Sequence, residues 1–147
     1  MRQKLSIGLV LNALPGYSET FIKNKINGLV ENGFIIYLFL GANGNSKDIP
    51  ESIPIYYQVD SNNIFNLLFI LFKTFIFHPF KCLRFFYLEK SSNRNWSRAI
   101  KNLIINSHII GKPLDCLHFC FATSGINREN VAHVIGAKLT VSFRGFD

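Results

Sequence analysis

Acid is in short supply in this 147-residue chain: nine aspartates and glutamates stand against sixteen lysines and arginines. The shortage is local. Residues 61–112 carry eight basic residues, Lys73, Lys81, Arg84 and Lys101 among them, against Glu89 alone. Outside that segment the chain has eight charges of each sign, so the whole net charge of +7 belongs to one stretch. The same stretch holds eight of the fifteen phenylalanines. Cysteine is scarce too. Cys82, Cys116 and Cys120 are an odd number with no disulfide spacing, so a reducing cytoplasm is the expected compartment. No run reaches the ~18 unbroken apolar residues that cross a bilayer. Met1-Arg2-Gln3-Lys4 before an apolar run resembles a signal peptide, but Asn12 interrupts the run and no small-x-small cleavage site follows. Gly-x-Gly-x-x-Gly and Walker lysine patterns are both absent, so nothing supports a self-sufficient nucleotide site.

What is present points to one domain with a real core. The chain is 48% hydrophobic and 14% aromatic with a mean hydropathy of +0.19, rich enough to imply an apolar surface that meets a partner, a second domain or a membrane. Residues 4–12 form an apolar run of strand length, as in a strand covered on both faces. Leu14-Pro15-Gly16-Tyr17 reads as a turn. Ser18 is a good N-cap, Glu19 suits the helix dipole, and Phe21, Ile22, Ile26, Leu29 and Val30 share one helical face. Asn32-Gly33 signals the C-cap, and a second strand is expected over 34–40. Strand–helix–strand within about forty residues is the unit of a parallel α/β sheet. A short strand is expected over 53–59, and an apolar helical segment over 62–89, broken at His78-Pro79. Further on, the pattern predicts a helix over 93–108, a strand over 114–121, a helix over 127–135 and a last strand over 138–143.

Four constellations invite chemistry. Pro15 through Ile22 lies at the carboxyl end of the first strand, where open α/β sheets bind ligands and free N–H groups suit anions; a plain helix cap fits the same residues. Alternation puts Cys116, His118 and Cys120 on one strand face. Zinc would need paired x₂ spacings and a fourth ligand, leaving His118 as either a site residue or a hydrogen-bonded interior histidine. Arg144-Gly145-Phe146-Asp147 follows the last strand and serves either a ligand or a loop salt bridge. In segment 61–112, Asn66, Lys73, Lys81 and Arg84 are expected to share a narrow polar stripe. Apolar area flanked by lysine and arginine suits an anionic membrane surface, and a buried core helix with solvated charges fits as well. The rings are not spaced as stacking platforms, so nucleic acid is not an expected partner.

Together these residues resemble the N-terminal half of family-4 glycosyltransferases of the GT-B type, in the polysaccharide-biosynthesis (colanic-acid-like) group. The family's Pro-x-x-Ser-Glu-Thr-Phe-Ile loop is matched from Pro15 to Ile22. Its Ile-His-x-His-Phe strand is similar to Leu117-His118-Phe119-Cys120-Phe121, with Cys120 in place of the second histidine. Its His/Arg-Gly-x-Asp loop is matched by Arg144-Gly145-Phe146-Asp147. The resemblance implies an α/β fold with a Rossmann-like parallel sheet flanked by helices. It also implies retaining transfer of a sugar from a nucleotide-sugar donor to a saccharide or lipid-linked acceptor, at the inner face of the cell membrane. On this basis residues 1–147 are expected to be an incomplete N-terminal acceptor-side domain, with the donor-binding C-terminal domain lying outside them. Ser18 and Glu19 would line the cleft near the donor phosphates, with Thr20 supporting the helix start. His118, Arg144, Gly145 and Asp147 would surround the acceptor hydroxyl or the sugar, and Lys73, Lys81, Arg84 and Lys101 would meet the membrane. No metal or cofactor is expected, and no catalytic residue is assigned. The rival expectation is a non-catalytic α/β module that docks a membrane or a protein partner.

Overall fold

The computed structural model describes residues 4–12, 20–41, 49–50, 52–59 and 63–143. Five strands form one sheet, parallel throughout: β1 (Ser6–Leu11), β2 (Ile35–Leu40), β3 (Ile55–Tyr57), β4 (Cys116–Phe119) and β5 (Lys138–Val141). Their spatial order is β3-β2-β1-β4-β5, which makes the fold Rossmann-like α/β. β1 sits in the middle because it is apolar on both faces. Leu9, Val10 and Leu11 are buried, with successive side chains entering opposite cores. Gly8 in the same strand is a packing requirement: a Cβ there would stand 2.8 Å from Leu114 Cδ1 and from Phe39 Cε2.

The helices divide unequally. On one face, α1 (Thr20–Glu31) lays Ile22 and Ile26 over Leu9, Leu38 and Leu40. The other face carries α2 (Ile64–Phe77), α3 (Pro79–Ser91), α4 (Trp96–Ile110) and α5 (Val131–Ile135). There Phe85, Leu103, Ile109 and Val131 close over Val10, Phe39, Leu117 and Phe119. Helix ends follow the expected chemistry. Gly33 and Gly136 adopt left-handed conformations after α1 and α5, at φ 82° and 77°. The Asn95 side chain caps α4 by accepting from the Arg98 N–H at 2.9 Å.

Three expectations need correction. The strand foreseen over 114–121 is only Cys116–Phe119, since its ladder with β1 runs from Ile7 to Val10 and the chain then bends into a 3₁₀ turn, Ala122–Gly125. The helix foreseen over 127–135 starts at Val131. Asn127 has φ 64°, a left-handed conformation that no α-helix accommodates. The polar stripe shared by Asn66, Lys73, Lys81 and Arg84 does not form. Pro79 opens a new helix at its first turn, where its missing N–H costs nothing, and α3 departs from α2 at 112°.

One carboxylate joins three of these helices. Glu89 of α3 is fully buried, and its Oε2 accepts from Asn102 Nδ2 of α4 at 2.6 Å. Its Oε1 accepts from Asn130 Nδ2, just before α5, at 2.8 Å, and Arg94 Nε lies 3.6 Å from Oε2. Glu89→Ala strands the buried Asn102 amide and two partly buried partners, Asn130 and Arg94, and should lower unfolding free energy by about 3 kcal/mol in denaturant titration. Glu129→Ala, which loses only a half-exposed ion pair to Arg94, should cost less than about 1 kcal/mol.

His108 of α4 packs its ring edge against Phe39 with centroids 5.7 Å apart, and among the described residues neither ring nitrogen has a partner at full hydrogen-bond geometry. Burial, reinforced by the Arg128 guanidinium, pushes its imidazole down to about 3, against the opposing pull of the Ile105 carbonyl. The unfolded chain therefore binds a proton at this site that the folded chain refuses. The stabilisation it gives is complete above the ordinary histidine range and is lost as pH falls from about 6.5 towards 3. His108→Leu should flatten that part of the stability–pH curve, measured as the difference in thermal midpoint between variant and parent.

Candidate functional site

The topology fixes where a ligand would meet this sheet. β1 pairs with β2 on one side and with β4 on the other, so the connections diverge and leave a crevice at the carboxyl ends of β1 and β4. His118 is the third residue of β4 and lies opposite Leu9 of β1. Alternation sends it to the face that α1 covers, the same face on which Cys120 is buried. Lys25 of α1 reaches it, with Nζ 2.6 Å from Nε2. Thr140 of β5, its register partner, places Oγ1 2.8 Å from Nδ1, and Ser142 Oγ lies 3.1 Å from Nε2. Lysine only donates, so Nε2 accepts and the neutral ring carries its proton on Nδ1, directed at Thr140. Two strands and one helix thus bring an ammonium, an imidazole and two hydroxyls together. Such a set suits a hydroxylated or anionic ligand.

The sequence and the structure overlap here in part. His118 stands at the crevice and is hydrogen-bonded there. Thr20 is the first residue of α1 and is exposed. Ser18, Glu19, Arg144, Gly145 and Asp147 lie outside the described residues. β1 ends at Leu11 and β5 at Val141, so the chain leaves both strands at the edge where His118 stands. Among the described residues no group of three histidine, cysteine or acidic side chains could hold a metal ion. Cys116 Sγ instead lies 3.6 Å from Thr140 Oγ1, and Cys120 is interior.

Lys25, Thr140 and Ser142 were not foreseen. Lys25 had a readable signal: it falls three residues after Ile22 and beside Ile26, inside the arc α1 turns to the sheet. Thr140 had none, because its partnership with His118 depends on β4–β5 register, which a sequence does not display.

The second candidate surface is the outer side of α2 and α3. Phe65, Phe69 and Phe72 on α2, with Phe80 and Tyr87 on α3, are exposed, Phe80 to 85%. Apolar exposure on this scale marks an interaction surface. Lys73 of α2, Arg84 of α3 and Lys101 of α4 are exposed. Lys81 differs: its Nζ donates to the Ile110 carbonyl at 3.0 Å and completes the end of α4. Lys90 lies 5.2 Å above the Trp96 ring. Among the described residues no single helix is long and apolar enough to cross a membrane, although α2 and α3 as a bent pair have the length and composition.

Comparison with protein-family models and with curated proteins gives no match to this chain.

Proposed function

We propose that the chain is the acceptor-side domain of a retaining GT-B glycosyltransferase in surface polysaccharide biosynthesis. It would work at the inner face of the cell membrane on a saccharide or lipid-linked acceptor. The observation that carries this reading is His118 at the switch point of the sheet, held by Lys25, Thr140 and Ser142. In this reading the cluster binds the acceptor and helps steady charge on the departing diphosphate, work done by positioned donors without a metal. Residues 18–20 and 144–147 complete the site on the resemblance. The chain has no pair of glutamates spaced Glu-x₇-Glu, so gripping the nucleotide-sugar donor is assigned to a second domain.

The exposed α2–α3 face supports the membrane part of the reading: large apolar side chains to bury, with the exposed cations Lys73 and Arg84 on the same two helices for anionic lipid. The same face favours a second reading, a non-catalytic module that docks a membrane. The two separate on whether the sheet edge binds saccharide.

Titration with short lipid-linked oligosaccharides should shift the amide signals of Lys25, His118, Thr140 and Ser142, and His118→Ala should weaken binding about tenfold. Shifts confined to other surfaces would leave only the docking module. The 147-residue chain alone should transfer no sugar; turnover of any nucleotide sugar would overturn the assignment of the donor site to a second domain. Co-sedimentation with anionic vesicles should weaken by about a hundredfold when Lys73, Arg84 and Lys101 are changed to Gln together, at about 1 kcal/mol per charge. Lys81 is left unchanged because it supports α4. Vesicle binding that is absent or unaltered would remove the membrane from the proposal.

A further inference from the structure

Beside the exposed face, α2 and α4 line an open cleft of about 370 Å³, within the range of small-ligand sites. Ile70, Lys73, Thr74 and Phe77 of α2 form one wall, Ser107 and His108 of α4 the other, with His78 and Val59 at its ends. No acidic side chain lines it among the described residues. Cations surround it. Lys73 stands in the wall, the ammonium groups of Lys81 and Lys112 act on His78, and the Arg128 guanidinium acts on His108. Arg128 is itself 6% exposed, with Nη1 unpartnered and Nη2 donating to Gln58 Oε1. A buried guanidinium with no ion pair, and an imidazole with no well-formed hydrogen bond, among the described residues are both costly unless something answers them.

We propose that this cavity binds a phosphate ester, its oxygens held by Lys73, His78 and His108 and its organic part set against Ile70 and Phe77. The donor inventory favours an oxyanion. Thr74 and Ser107 already direct their hydroxyl protons to the carbonyls of Ile70 and Ile104, leaving the lysine and the two imidazoles as the donors without a well-formed bond among the described residues. Three donors, from α2, from α4 and from the break between α2 and α3, suit a tetrahedral group with several oxygens better than a single carbonyl. Gly111 serves the same end: a Cβ there would lie 2.6 Å from His78 Nε2, so only glycine leaves the ring its place. The site is separate from the sheet edge and does not rest on the sugar-transfer reading.

The ligand could be a soluble phosphate ester or a lipid headgroup, and two arms of one experiment distinguish them. Inorganic phosphate and glycerol 3-phosphate are titrated into the protein while the imidazole signals of His78 and His108 are followed. Phosphatidylcholine vesicles with and without phosphatidic acid form the other arm. The signals of both rings should move saturably in at least one arm, and His108→Leu should weaken that arm about tenfold. Because this ring is neutral at pH 7, the substitution leaves the net charge unchanged, so simple attraction between charged surfaces predicts no effect. Lys138→Gln, an exposed charge on β5 outside both the cavity and the α2–α3 face, should change the result no more than about twofold. A response only to the soluble esters assigns a metabolite phosphate, and one only to phosphatidic acid assigns a headgroup. His78→Gln, at the junction of α2 and α3, repeats the test should His108→Leu fold poorly. Unmoved imidazole signals in both arms, or equal losses from Lys138→Gln and His108→Leu, would overturn the proposal.

Discussion

The helical face depends on a single buried carboxylate. Glu89 is the one acid among eight basic residues in segment 61–112, and it is the charge placed in the interior. Asn102, Asn130 and Arg94 satisfy it, which fixes α3 against α4 and against the entry to α5. Burying an ion is tolerable only with such a complete set of partners. The consequence reaches the surface: with its only acid interior, the segment shows solvent cations with no acid of its own among them. The tie that holds the helices together also leaves the outer face basic.

The sheet supplies the other constraint. β1 is buried on both sides, so its neighbours must approach closely, and Gly8 lets Phe39 and Leu114 do so. Register then does the positioning. His118 is opposite Leu9 and Thr140 is opposite His118, which places a polar pair at the edge where β1 and β4 part. A slip of one residue in β4 would turn His118 into the helical core and Leu117 or Phe119 out of it. The packing of Leu117 and Phe119 therefore determines where the histidine stands.

Much of this was legible from local signals. The order of elements, the break at His78-Pro79 and the glycine helix ends each follow from rules that act within a few residues. What escaped has non-local causes. Asn127 takes a left-handed conformation where the α4 face meets the loop: its side-chain oxygen accepts from Arg94 and Arg98, and its carbonyl accepts from Asn106. Those partners lie on other elements, so composition could not show that α5 would start late. Lys25 was legible in principle from its place on the buried arc of α1, but only the fold supplies the imidazole that meets it. His108 reads as a polar residue closing an amphipathic helix, and nothing adjacent in sequence reveals the cavity beside it or the Arg128 charge near it.

The 112° turn at His78 connects these observations. A straight helix from Ile64 to Ser91 would present one long surface, with Lys81 and Arg84 continuing the Lys73 line. The turn instead points α3 elsewhere, lets Lys81 reach the end of α4, and brings His78 against Gly111 and into the wall of a cavity. Proline makes the turn inexpensive because its missing N–H falls in the first turn of α3, where no helical partner exists. The same residues that end one helix thus create both the bent apolar face and the cationic space beside it. Straightening the pair would remove both together, so the exposed face and the cavity are consequences of one local break in the chain.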